Sequence, residues 1–431
     1  MLLLTAVVAA CTGDGGRRDN DDARALLNPV AEAYVKLVLA VGQHDADYVD
    51  AYYGPAAWRT EAEANPRALE DIHQEADSLL QELHSGKLGR VEQLVHFRHE
   101  YLVKQLQSLR VRVDMLSGTR LNFDEESQAL YDATAPTHPE SHFADVLARL
   151  DTLLPGDGPL VDRYAAFRED FVIPKERLDT VFRTAISECR KRTKRYLVLP
   201  PNESFVVEYV TDKSWGGYNW YQGNYHSLIQ VNTDLPISID KAFDLACHEG
   251  YPGHHTYSVL LEHHLVRGRG WVEFSVYPLF SPQSLIAEGS ANYGIEVAFP
   301  NDERVAFERD VLFPLAGLDP RRVEEYDRVR SLVRQLAYAG NEAARRYLNG
   351  EIDRDAAARW IAEYAMTDLR RAQQRVRFFD QYRSYVINYN LGQDLVRSFV
   401  ESRLGDDPSR QDRWNHFKDL MASPRLASSL R

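Results

Sequence analysis

The run His248-Glu249-Gly250-Tyr251-Pro252-Gly253-His254-His255 gathers three imidazoles and a carboxylate into one short stretch. Neutral imidazole is a zinc ligand and a carboxylate can act as a general base, so the stretch holds the groups that metal-assisted hydrolysis needs. Zinc-peptidase helices commonly read H-E-x-x-H, because positions i and i+4 set two imidazoles one turn apart on one face. Here the i+4 position is Pro252. Its ring crowds the carbonyl of residue i-4, which is His248, so the helix must kink or bulge there. In an unbroken helix His255 would share the azimuth of His248 but lie about 10 Å further along the axis, beyond the reach of one ion with bonds of roughly 2 Å. If Gly250, Tyr251 and Pro252 loop out by two residues, His254 drops into the i+4 place, with Gly253 supplying the backbone freedom. His254 is therefore favoured over His255 as the second ligand.

A catalytic zinc keeps three protein ligands and one open position. The later segment LIAEGSANYGIE offers Glu288 from a second helix as the third ligand, with Glu296, two turns on, assigned to the surroundings or the surface. Glu249 adjoins the first ligand and is placed to take the proton of the attacking water. From Asp368 to Glu401 the spacing puts Arg375, Phe378, Tyr382, Tyr385 and Tyr389 on one face of a helix. The stripe is either aromatic core or a wall of the site, in which one phenol donates to the developing oxyanion. Arg375 or Arg383 could grip a substrate carboxylate, although a structural arginine is the simpler reading. The pair His263 and His264 reads as structural, and Cys247 as a small buried residue beside the metal helix.

The metal segment opens as a helix after Pro236 and Ser238, with Ile239, Phe243 and Ala246 on an apolar stripe and His248 opposite. Helical periodicity covers the chain from about Ala23 to Leu197 and again from Ile239 to the end. Between them, FVVEYV (Phe205 to Val210) and SLIQV (Ser227 to Val231) read as strands of a small sheet or hairpin. SLIQVNTD could add an extended peptide to its edge, and Trp215, Tyr218, Trp220 and Tyr225 could line subsites. Three segments follow from this: residues 1–24 as signal and tether, 25–198 as a helical region, and 199–431 as a catalytic region with the sheet and the zinc-binding helices.

These motifs resemble those of a bacterial domain-of-unknown-function family of gluzincin-type character, which carries HExxPGHH and EGxAxY. Here they read HEGYPGHH (His248 to His255) and EGSANY (Glu288 to Tyr293), with looser matches at FREDFVIPKERL and YRSYVINYNLG. The resemblance covers the chain from roughly residue 130. It implies a mainly α-helical, gluzincin-like metallohydrolase with a small sheet flanking the cleft, and its Tyr-x-x-Gly context favours Tyr389 among the tyrosines. Arg383, Ser384 and Tyr385 stand where relatives tend to carry Pro-Gly-Gln.

Across 431 residues, hydrophobic side chains make up 44% and charged ones 27%, which suits a globular protein. A net charge of -13 argues against the electrostatic attraction that non-specific nucleic-acid binding needs. The N-terminal MLLLTAVVAAC resembles the end of a bacterial lipoprotein signal, in which Cys11 would carry the lipid, although no Lys or Arg precedes the apolar run. Gly-rich, charged residues 12–22 then read as a flexible tether to the cell envelope; the cysteines Cys189 and Cys247 are too few to define a disulfide framework. The expectation is a zinc-dependent peptidase. A zinc amidase on a non-peptide or cell-wall amide is the enzyme alternative, and a non-catalytic envelope binding lipoprotein the other.

Overall fold

Helices dominate the described residues, as the periodicity predicts, and five short strands interrupt them. The computed structural model describes residues 14–213, 215–300 and 302–430, so Cys11 and the signal-like run lie outside the described residues. The first helix, Asp14–Val41, differs from expectation, because residues 14–22 are helical where the sequence suggests a tether. Leu27, Val30, Ala31, Tyr34, Val35 and Val38 bury one face of it. Extending a formed helix adds a backbone bond for each residue fixed, so a well-packed stripe carries the helix into its polar start. Asp19 secures this end by accepting from the Arg90 backbone N–H at 2.9 Å.

Strand β1 (Val49–Tyr52) pairs antiparallel with β5 (Val276–Pro278). The other sheet has the order β2-β4-β3, with β2 (Ser204–Val210), β3 (Gly217–Gly223) and β4 (His226–Asn232). β3 and β4 form a hairpin through Asn224 and Tyr225, whose positive φ values of 53° and 61° suit a tight primed turn. β2 lies parallel to β4 on its other side. This corrects the edge assignment, because SLIQV belongs to the central strand and has no free edge for a peptide. Inward-facing Ser227, Ile229 and Val231 alternate with more exposed neighbours along it.

Two close helices frame the site. At Gly289, a Cβ would fall 2.4 Å from the backbone of Gly392, and at Gly392 one would fall 2.6 Å from the Leu285 carbonyl. Helices Pro282–Ala298 and Ile387–Glu401 therefore cross with backbones in contact, which no larger residue at either position permits. The expected single helix from Asp368 to Glu401 is broken: Leu369–Tyr382 ends at Arg383, whose φ is 50°, and a 3₁₀ turn, Arg383–Val386, leads into Ile387–Glu401. Arg383 is held there by Glu126, which accepts from its Nε at 2.6 Å and from the Ser384 backbone and hydroxyl. Arg383 is thus a structural residue and is withdrawn as a substrate anchor.

One apolar cluster runs through the residues on both sides of position 198. At this join Tyr101 stacks on Phe274 with centroids 4.6 Å apart, and buried Arg98 forms a two-pronged pair with Glu273 at 2.5 and 3.0 Å.

Candidate metal centre

The metal helix begins as Ile239–Leu245, with Ile239, Phe243 and Ala246 buried as its stripe requires. It widens into a π-helical turn, Ala246–Gly250, and leaves helical geometry at Tyr251. Proline at position 252 accounts for the interruption. The chain then turns back so tightly that the Gly253 N–H reaches the Cys247 carbonyl at 3.1 Å. A Cβ on Gly253 would sit 1.8 Å from the His248 carbonyl oxygen, so the turn requires glycine. His254 opens the next helix, His254–Leu261, and its ring lies 4.6 Å from that of His248. The loop-out expected from Pro252 and Gly253 is present, and it brings His254 to His248.

His255 points elsewhere. It is fully buried, with Nδ1 at 2.8 Å from the Ser227 hydroxyl and Nε2 at 3.2 Å from Glu203. Tyr251 donates its hydroxyl to the same Glu203 carboxylate, and Arg190 adds a bond at 2.6 Å. Burial opposes the Glu203 charge, but the bonds from His255, Tyr251 and Arg190 outweigh it and hold the group at about 2. This network fastens the interrupted helix to β4 and to the start of β2. Cys247 is joined to Cys189 in the neighbouring Leu178–Tyr196 helix, a disulfide that the cysteine count did not reveal.

Glu288 arrives from the Pro282–Ala298 helix. Its Oε2 lies 3.3 Å from His248 Nε2 and 3.7 Å from His254 Nε2. Its Oε1 accepts the Tyr385 hydroxyl at 2.8 Å, whereas Oε2 is buried with no hydrogen-bond partner. Zinc bonds of about 2.0–2.1 Å in a tetrahedron set neighbouring donors roughly 3.4 Å apart, so these three atoms have the spacing of ligands around one ion. The orphaned oxygen fits that ion. Glu249 also belongs to the cluster: a carboxylate oxygen and one nitrogen from each of His248 and His254 all lie within 4.8 Å of one another. Glu288 makes the ion-pair contacts with both imidazoles, and Glu249 makes none of that kind among the described residues. Glu249 is itself buried, with its backbone carbonyl held by Asn219 at 2.7 Å and its Oε1 against Gly217.

Two contributors, Asn292 and Asp50, were missing from the sequence reading, and a third, Tyr385, was placed only in the aromatic stripe. Asn292, one turn beyond Glu288, donates its amide to the Tyr389 carbonyl at 2.9 Å and so turns Oδ1 toward His248 Nδ1, also at 2.9 Å. Nδ1 must then carry the proton, which leaves the His248 Nε2 lone pair directed at the cluster. Tyr385 holds Glu288, a closer engagement than that of the favoured Tyr389. Asp50, from β1, accepts the Tyr218 hydroxyl and shares the cavity with the metal cluster. Burial raises it to about 7, with Glu288 and Glu249 adding to the rise and His254 opposing it.

Charge in the cluster is mutually supporting. Burial disfavours charged His254, but Glu288, Glu249 and Asp50 outweigh it and hold the imidazole at about 9. Burial likewise opposes the Glu288 charge, and His254 and His248 reverse this, pulling it well below the usual carboxylate range. Such stored attraction is what a cation bound in place of the imidazole protons would use. Burial and the Glu288 charge push the Tyr385 and Tyr389 phenols far up, so both remain protonated donors at neutral pH.

The cluster opens into a cavity of about 940 Å³, near the upper end for small-molecule and peptide sites. Tyr389, Tyr382, Phe378 and Arg375 line it despite the break at Arg383. Among the described residues the Tyr389 hydroxyl has no hydrogen-bond partner. Trp215 and Tyr218 also face the cavity, whereas Trp220 bonds Gln230 and Tyr225 contacts His263, so two of the four expected subsite aromatics stand elsewhere. Glu296 pairs with Arg397 on the rim.

No protein-family profile matches the chain, and no curated protein matches it. Solved structures of partial likeness include a "putative lipoprotein from Colwellia psychrerythraea", at 16% identity and a TM-score of 0.49, covering 84% of this chain and 71% of that one. A "putative lipoprotein of unknown function from Shewanella oneidensis" gives 14% identity and 0.44, covering 85% and 76%. The structure named BsuCP gives 9% and 0.45, covering 93% and 89%. Among the described residues no helix is long and apolar enough to cross a membrane.

Proposed function

We propose that this protein is a zinc-dependent peptidase, and the observation that carries the reading is the buried Glu288 Oε2, which makes no hydrogen bond among the described residues and faces the Nε2 atoms of His248 and His254. A zinc ion held by these three residues would supply Lewis acidity to a water and to the substrate carbonyl. Glu249 takes the proton of the attacking water and passes it to the leaving amine. Tyr389, protonated and unengaged, donates to the oxyanion that forms at the scissile carbonyl. Asn292 fixes the tautomer of His248, and Tyr385 fixes the rotamer of Glu288, so neither ligand has to be ordered when the metal binds. The strand beside Glu249 is β3, so an extended peptide would lie along it at Gly217, Tyr218 and Asn219. The cell envelope is the proposed location, from the lipoprotein-like MLLLTAVVAAC and from the disulfide, which suits an oxidising compartment.

Glu249→Gln provides the test, because it keeps the side-chain volume and removes the base. Zinc should remain bound, while cleavage of a peptide library read by mass spectrometry should fall by about 10² to 10⁴. Turnover within a few-fold of wild type at full zinc occupancy would remove Glu249 from this role. A wild-type protein that binds peptides and cleaves none would instead favour the non-catalytic binding lipoprotein.

A further inference from the structure

The cavity lining carries charge of both signs. Glu249, Glu288 and Asp50 gather at the metal pole, while Arg168, Arg304, Arg334, Arg371 and Arg375 all contribute to its walls. Most of these arginines are already engaged. Arg371 pairs with Asp368 at 3.3 Å, Arg304 with Asp244 at 2.7 Å and Arg334 with Asp327 at 3.8 Å, and Arg168 donates to Ser238 at 2.9 Å. Arg375 differs. Among the described residues it has no carboxylate and no hydrogen-bond acceptor, and its guanidinium lies against the ring faces of Phe378 at 5.3 Å and Tyr389 at 6.0 Å. The two rings flank the guanidinium, and its N–H fork remains available to a ligand.

Resting on the peptidase reading, we propose that Arg375 binds the terminal α-carboxylate of the substrate, which makes the enzyme a carboxypeptidase. A guanidinium fork matches a carboxylate with two parallel bonds, and an arginine on a cavity wall with no counter-charge of its own is open to an anionic ligand. Arg375 is exposed on the cavity wall, where a ligand can reach it. The link to the chemistry runs through the rings. Arg375 abuts Tyr389, Tyr389 lies 5.8 Å from Tyr385, and Tyr385 bonds the ligand Glu288. A carboxylate seated on Arg375 would therefore fix how far a peptide end extends past the metal cluster and which bond meets it. Lys241, likewise exposed, also lines the cavity, but as a flexible point charge it lacks the planar fork and the ring support.

Metal-free protein isolates the anchor from the chemistry. Three acetylated tripeptides serve as probes: a free acid, its C-terminal amide, and an amide whose last residue is glutamate. Calorimetry on wild type should show the acid binding at least about tenfold tighter than either amide, the usual worth of a charge-assisted pair. Arg375→Met should bring the three affinities together, and Arg375→Lys, which keeps the charge without the fork, should fall between. Equal affinities in wild type, or an acid preference that survives Arg375→Met, would overturn the proposal. The glutamate amide binding as tightly as the acid would overturn the terminal assignment. The same peptides with zinc-loaded protein separate the two readings. Cleavage without acid preference removes the anchor and keeps the peptidase, whereas Arg375-dependent acid binding without cleavage removes the peptidase and keeps the anchor.

Discussion

Asn292 makes two hydrogen bonds, both at 2.9 Å, and one of them decides which nitrogen of His248 faces the metal cluster. In Asn292→Ala the His248 ring loses its acceptor at Nδ1, so the proton is free to move to Nε2, the very atom that would ligate. The Tyr389 carbonyl simultaneously loses its donor. Each hydrogen bond contributes about 0.5–1.5 kcal/mol net, so the pair sums to roughly 1–3 kcal/mol. Only the part that differs between metal-bound and metal-free protein weakens binding, and outer partners of metal-ligating histidines commonly contribute about 10- to 100-fold in affinity. Zinc affinity of Asn292→Ala should therefore fall by that factor, measured by competition with a chromophoric chelator. Asn292→Asp retains the acceptor toward Nδ1 and should lose less. The side chain is half-buried beside solvent-reaching cavity space, so a fold-wide collapse is not expected, and the thermal midpoint of the metal-free variants provides the control. An Asn292→Ala affinity within two- to three-fold of wild type would show that His248 does not depend on this bond and would undo the tautomer argument.

Glu203 predicts a pH-dependent stability. Its folded-state value of about 2 lies below its ordinary 4.5, so its contribution is present above pH 4.5 and disappears as pH falls toward 2. Glu203→Gln should cost about 1–3 kcal/mol at pH 7, reduced from the full shift because Arg190 and Lys194 are partly solvated. Urea unfolding should show the gap between variant and wild type narrowing below pH 4.5, and a gap of constant size from pH 7 to pH 3 would contradict the network. The envelope proposal predicts that full-length protein expressed in bacteria sediments with membranes and that Cys11→Ser releases it or blocks its processing. Unaltered membrane association in that variant would count against a lipid on Cys11.

The core of the candidate metal centre was legible because its signals are local. Pro252 forbids the regular i+4 continuation and Gly253 permits the tight return, and together they select His254 over His255. Asn292 was equally readable, since it stands four residues after Glu288 and thus on the same helix face, but its partner Tyr389 belongs to another helix. Asp50 and Tyr385 were not readable in that way, because only tertiary packing places β1 and the 383–386 turn beside the cluster. The break at Arg383 carries no proline or glycine signal and depends on Glu126, a buried carboxylate from a distant helix. The order of the sheet was hidden for a related reason: alternation shows that β4 has one buried face, while its neighbours are set by the pairing of β2 and β3 around it. The glycines of EGSANY and YNLG gained their meaning only from the crossing that brings Gly289 against Gly392.

Metal content of four variants tests the central claim most directly. Purified protein, dialysed against buffered zinc and assayed by plasma emission, should hold one zinc per chain. His248→Ala, His254→Ala and Glu288→Ala should each lose it, because each deletes one of three ligands, whereas His255→Gln should retain it whenever the protein is folded by circular dichroism. Full zinc in Glu288→Ala together with its loss in His255→Gln would contradict the account, since the ion would then lie away from the orphaned carboxylate oxygen on which the assignment rests.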